Sequence, residues 1–159
     1  MVLLCDSRER WTHPGSTDRH ISGYLSKHRI QFRVQKLDVG DYMMEGGTVT
    51  VDRKASIEEI SGNLTNPADK KRFWREVRLA HQKGLRLVVL VESNKFRQVS
   101  DLREWASKFT PTDGPALIAQ MNRLRLAYGV EFRFCPKVSA ARTILEILEE
   151  GHGKENREG

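Results

Sequence analysis

Five apolar residues in a row, Leu87-Val88-Val89-Leu90-Val91, constrain this chain more than any other feature, and no unbroken apolar stretch in it is longer. Successive side chains of a strand point to opposite faces, so a strand that is apolar at every position must be covered on both. That excludes a sheet with one wet face and calls for layers of helix on either side. The chain has 159 residues, which suits one such domain. A domain of this size buries roughly two-thirds of its unfolded surface, so its core needs no disulfide or metal staple. The same run is far too short to cross a bilayer. Val2-Leu3-Leu4-Cys5 is cut off by Asp6 after no basic start, which does not make a secretory leader. The expectation is an intracellular protein, cytoplasmic or nuclear/nucleoid, with no membrane attachment.

Around that strand, short apolar runs alternate with amphipathic segments. Residues 2–5 read as a strand. Ile21, Leu25 and His28 share a helical face, in a segment that Ser16 or Thr17 could cap. Phe32 and Val34 alternate with Arg33 and Gln35, which is strand periodicity. Tyr42-Met43-Met44 and Thr48-Val49-Thr50-Val51 flank Glu45-Gly46-Gly47, the pattern of a hairpin. Ser56 and Glu59 have capping-box spacing and predict a helix that stops near Gly62-Asn63. Pro67 suits the first turn of the next helix, which should run to about Lys83-Gly84. The run at 85–91 is the doubly covered strand. Helices near 101–108, over 115–128 and over 139–150 follow, with a strand at 131–134. Residues 151–159 should be a disordered tail, leaving 1–150 as one domain. The whole predicts an α/β fold, a central mixed β-sheet flanked by α-helices.

The chain carries 27 Lys+Arg against 21 Asp+Glu, a net charge of +6. That excess suits a polyanionic partner, nucleic acid first. Cys5 falls in a predicted strand and Cys135 at the end of another, they form no CxxC pair, and the five histidines form no HExxH or HxxxH. Zinc chemistry and a disulfide framework are therefore not expected.

Chemistry concentrates at the hairpin. Asp41 opens its first arm, and Asp52 and Lys54 end its second. The outer ends of a hairpin lie side by side, and Asp52 and Lys54, two apart on a strand, share a face. Two carboxylates and one ammonium at one point suit metal-assisted hydrolysis of a phosphodiester. Asp41 and Asp52 would hold Mg²⁺, a hard ion that keeps several of its waters. Lys54 would position the attacking water or offset developing charge. Glu58 and Glu59 open the following helix and could lean toward the same point, although acids are ordinary in a first helical turn. Asp6-Ser7-Arg8-Glu9 follows the first strand, at the sheet edge where sites form. Lys71, Arg75 and Arg78, spaced i, i+4, i+7, form a basic stripe that, with Arg8, could follow a phosphate backbone. Trp11, Trp74 and Trp105 could stack on bases, but each also fits a packing role, which is the reading favoured here.

The order Asp6-x-Arg8-Glu9, Gly40-Asp41, Asp52-Arg53-Lys54, then Glu58 resembles the XPF family of structure-specific endonucleases. That family has a restriction-endonuclease-like fold and the signature Gly-Asp, then Glu-Arg-Lys-x-x-x-Asp. The likeness extends over residues 1–150. It implies Mg²⁺- or Mn²⁺-dependent cleavage of branched, flapped or fork-like DNA, in DNA repair or recombination. It implies Asp41 and Asp52 as metal ligands and Lys54 as catalytic, with Arg53 supporting the site. Glu58 would stand where the last aspartate of the signature acts, and Asp6 and Glu9 at the site's edge. A homodimer, or a heterodimer with a related chain, is implied, and no small-molecule cofactor. This chain departs from the pattern twice, with Asp52 for the usual Glu and Glu58 for the usual Asp, which alters ligand reach but keeps the charge. The family's tandem helix-hairpin-helix module is not found. The alternatives are a non-catalytic DNA-binding or dimerisation scaffold of the same fold, and a restriction-type enzyme that reads a sequence.

Overall fold

The computed structural model describes residues 1–151 in full and, beyond them, only the extent of the last helix. Six strands form one sheet: β1 (Leu3–Asp6), β2 (Phe32–Gln35), β3 (Tyr42–Met44), β4 (Val49–Lys54), β5 (Arg86–Glu92) and β6 (Glu131–Cys135). Their order is β2-β1-β3-β4-β5-β6. β3 runs antiparallel to both neighbours, and the other pairs are parallel, so the sheet is mixed as expected. The helices are α1 (Ser22–Lys27), α2 (Ile57–Thr65), α3 (Pro67–Gln82), α4 (Gly114–Tyr128) and α5 (Ala140–Glu158).

The apolar run is covered on both faces. Val88, Val89, Leu90 and Val91 are each 0 % exposed. Val88 and Leu90 pack with Leu3, Cys5 and Val51 of the sheet, Ile21 and Leu25 at α1, and Ile144 and Leu148 of α5. Leu87, Val89 and Val91 meet Ile60 of α2, Phe73 and Val77 of α3, and Leu117 and Met121 of α4. One strand thus joins two apolar layers, which makes the fold a single cooperative body. Both cysteines are free and buried, and burial together with Glu9 pushes the Cys5 thiol up to about 12.

Local rules hold at most helix starts. Ser56 Oγ accepts the Glu59 N–H, Asn66 caps α3 ahead of Pro67, and Asp113 caps α4. Four expectations shift. The first helix begins after Ile21 with no side-chain cap, and Ser16 instead binds the Asp18 N–H. α2 continues through Gly62-Asn63 to Thr65, because Leu64 is fully buried and holds the extra turn against the core. The helix expected near 101–108 is a 3-10 helix, Val99–Glu104. Beyond it, Ser107 Oγ takes the Phe109 and Thr110 N–H groups, and a bridge from Ala106 to Asp113 holds the segment extended. Gly151, expected to open the tail, is a buried residue of α5, where a Cβ would lie 2.3 Å from Val49 Cγ2. The tail expectation otherwise lies, from residue 152 on, outside the described residues.

Candidate active site

The hairpin turns at Gly46, whose φ of +76° lies in the left-handed region that glycine enters freely. Its register pairs Met43 with Thr50 and Tyr42 with Val51, so continuing it sets Asp41 opposite Asp52. Gly40 fixes the approach to Asp41. Its φ is +73°, and a Cβ there would lie 2.1 Å from Thr50 Oγ1, itself bonded to the Val39 carbonyl at 2.9 Å. Gly40→Ala should therefore destabilise the protein by about 2–4 kcal/mol, measured by urea unfolding, from strained backbone plus overpacking.

Asp41 Oδ2 accepts the Arg53 N–H at 2.8 Å, which ties the ends of the two arms together. Asp52 is buried, and its Oδ2 accepts no hydrogen bond among the described residues. Lys54 Nζ lies 3.3 Å from that oxygen, an ion-pair distance. Lys54 is buried too, its ammonium 5.4 Å from the Phe73 ring centre. Burial alone would lower the Lys54 pKa, but Asp52, Asp41 and Glu59 outweigh it, so the amine is held charged. Asp41 moves the other way. Burial first, then the Asp52 and Glu9 carboxylates, hold its pKa well above the ordinary carboxylate range.

A raised carboxyl pKa in the folded state favours folding below the unfolded value, and that contribution is lost as pH rises through the folded value. Without divalent cations, Asp41→Asn should therefore melt above wild type at pH 7, with the difference closing toward pH 4. Thermal unfolding in chelator checks this. An unchanged difference across that range would contradict it.

The site residues expected from the sequence separate into groups. Asp41, Asp52 and Lys54 meet in a cavity of about 530 Å³ at the end of β4. Glu58 does not join them. Its carboxylate accepts from Ser107 Oγ at 2.8 Å and the Lys108 N–H at 2.9 Å, so it anchors the loop before α4. Its neighbour Glu59 lines the cavity instead, with Oε2 on the Ala55 N–H at 2.8 Å. Asp6 is fully buried and spends its oxygens on the Leu37 N–H and Arg8 Nε, so it aims Arg8 rather than facing the cavity.

Glu9 and Arg53 line the same cavity, with Glu92, from the other side of β4. Arg53 donates from Nε and Nη2 to Glu9 Oε2 at 3.0 and 2.8 Å, and from Nη1 to Glu92 Oε1 at 2.9 Å. The same Glu9 oxygen takes the Tyr42 hydroxyl at 2.9 Å, which accepts the Trp11 indole N–H at 2.7 Å. Trp11 is therefore a packing residue. His20 Nε2 lies 3.3 Å from Glu92 Oε2, and Nδ1 faces Asp18. The basic stripe divides as well: Arg75 borders a groove with Arg8 and Lys54, while Lys71 and Arg78 face away from it.

Glu76 of α3 was not singled out by the sequence. Its Oε1 accepts the Gly40 N–H at 2.8 Å, and burial and the Asp52 charge raise its pKa. The available signal was an acid on the apolar side of that helix, one turn from Phe73 and Ala80.

Whether a divalent cation fits is decided by Asp52 Oδ2, a buried anionic oxygen 3.3 Å from the Lys54 ammonium and beside a second carboxylate. One amine does not saturate a carboxylate with about four lone-pair sites. Among the described residues no three His, Cys, Asp or Glu side chains form a closed metal cage. Two carboxylates in an open cavity suit an ion such as Mg²⁺, which completes its shell with water and substrate phosphate.

Comparison with known proteins agrees with this architecture. The ERCC4 domain family matches residues 5–147. Among solved structures, XPF from Aeropyrum pernix superposes with a TM-score of 0.68 at 17% identity, covering 99% of this chain and 69% of that one. XPF from Aeropyrum pernix in complex with DNA gives 0.65 at 18% identity, covering 96% of this chain and 66% of that one. The chain thus spans about two thirds of the length of these structures. No curated protein matches it in sequence. Among the described residues no helix is long and apolar enough to cross a membrane. The match over residues 5–147, carried on the same mixed sheet, shows that this chain belongs to the ERCC4 domain family.

Proposed function

We propose that the chain is a DNA endonuclease dependent on Mg²⁺ or Mn²⁺, acting on branched, flapped or fork-like DNA. The observation that carries this reading is the buried Asp52 carboxylate, set beside Asp41 and 3.3 Å from the Lys54 ammonium. The DNA seen with one structural relative supports the substrate class. When bound, the cation polarises the scissile phosphate and lowers the pKa of the attacking water.

The chain's own residues do the rest. Asp41 releases to water the proton that burial and the neighbouring carboxylates favour, and Asp41 and Asp52 are then both available as ligands. Lys54, held charged by Asp52 and backed by Phe73, offers its ammonium to the non-bridging phosphate oxygens, where negative charge grows in the transition state. Arg53 has three donor nitrogens committed to Glu9 and Glu92, so it acts as a positioning residue that locks the end of β4. A homodimer, or a heterodimer with a related chain, is part of the proposal.

Incubation of wild type with end-labelled fork, flap and linear duplex DNA in Mg²⁺ tests the reading. Cleavage of fork or flap, abolished by chelator, is expected. Binding without cleavage of any of the three would favour the scaffold alternative, and discrete bands from plasmid would favour a sequence-reading enzyme.

A further inference from the structure

The outer side of α3 carries a second groove that the catalytic reading does not use. It has a volume of about 500 Å³ and lies between α3 and α4, lined by Lys70, Lys71, Trp74, Arg78 and Arg123 with Pro67 at its end. Four cations and no carboxylate border it. Among the described residues none of the four is ion-paired, whereas Arg72 on the same helix is paired to Asp69. Lys71, Arg78 and Arg123 are exposed, so their charges face water rather than the core.

The floor is aromatic. Arg123 sits 6.0 Å from the Trp74 ring centre, and the Trp74 ring meets Tyr128 edge-on at 5.9 Å. The Trp74 indole N–H is buried and unpartnered. Like-charged side chains gathered without counter-charges repel one another, and an unpaired indole N–H lacks an acceptor. A ligand rich in anionic oxygens answers the first. The groove on the other side of α3 shares Arg8 and Lys54 with the cavity and, unlike this one, is lined by carboxylates too, those of Asp38, Asp69 and Glu76.

We infer that the Trp74 groove is a second DNA contact, taking the phosphate backbone of duplex that flanks the bound cleavage site. This rests on the endonuclease reading for its choice of polyanion, and its test is made independent of cleavage. DNA affinity would be measured by fluorescence anisotropy with a labelled duplex in chelator, across a salt series. Each phosphate contact contributes about one unit to the slope of log affinity against log salt.

Lys71→Gln/Arg123→Gln should flatten that slope by about two and weaken binding about tenfold at low salt. Lys70→Gln/Arg78→Gln should do the same. Lys27→Gln/Arg142→Gln removes the same net charge from the opposite helical layer and should leave the slope near wild type. Melting temperatures confirm that all three pairs fold. Groove variants that bind like the Lys27/Arg142 pair would overturn the inference, pointing to an acidic protein partner or to general charge alone. Wild type that binds duplex with this pattern yet cleaves nothing would defeat the endonuclease reading and leave the groove assignment standing.

Discussion

Arg53→Met should cost the fold about 3–5 kcal/mol, the range seen when one member of a buried ion pair is removed. Arg53 lies between Glu9 and Glu92, and all three side chains are nearly enclosed. Glu9 also holds the Tyr42 hydroxyl, so its charge cannot turn toward water without giving up that bond. Methionine fills the volume but leaves two carboxylates facing one another in a poorly screened interior. Urea unfolding should show a lower midpoint with an unchanged slope. Arg53→Lys keeps the charge and loses the fork geometry, so it should fall between the two. Glu9→Gln/Glu92→Gln in the methionine background should recover part of the loss. A cost for Arg53→Met under about 1 kcal/mol, the level of an exposed pair, would show that the network is solvated.

Lys54→Ala and Asp52→Asn should each lower cleavage of fork DNA by about 10²–10³-fold, the scale of losing one preorganised electrostatic group. The two variants differ in what else changes. Lys54→Ala removes the ammonium 3.3 Å from Asp52 Oδ2 and leaves both carboxylates, so cation affinity should be kept or raised. Asp52→Asn removes the anionic oxygen beside Asp41, so cation affinity should fall with turnover. Cleavage by Lys54→Ala within a fewfold of wild type would remove that residue from the chemistry.

Much of the fold could be read from periodicity because burial dictates it. The run at 87–91 demanded two covering layers, and Gly46 with its flanking alternation demanded a hairpin whose register carries Asp41 to Asp52. These are local or nearly local facts. Glu58 was not legible in the same way. Spacing after Lys54 placed it near the site, but which of Glu58 and Glu59 faces the cavity depends on helix phase and on Ser107 and Lys108, some fifty residues away. Asp6 read as a residue at the site's edge because it follows a strand, and only the Leu37 N–H, from a distant loop, shows its oxygens to be committed. Glu76 and His20 reach the site across the tertiary fold from segments with no motif of their own. The 3-10 helix at Val99–Glu104 went unrecognised because its continuation is decided by Ser107, a side chain competing for backbone donors.

The central claim is that Asp41 and Asp52 form one cation site, and titration calorimetry with Mn²⁺ tests it without any DNA present. Wild type should bind the ion at pH 7 and more weakly as pH falls through the raised Asp41 pKa, because cation and proton compete for that carboxylate. Asp52→Asn should bind at least about tenfold more weakly, as expected for losing a ligand or its support. Equal affinity in wild type and Asp52→Asn, or no binding to wild type at millimolar Mn²⁺, would contradict the account.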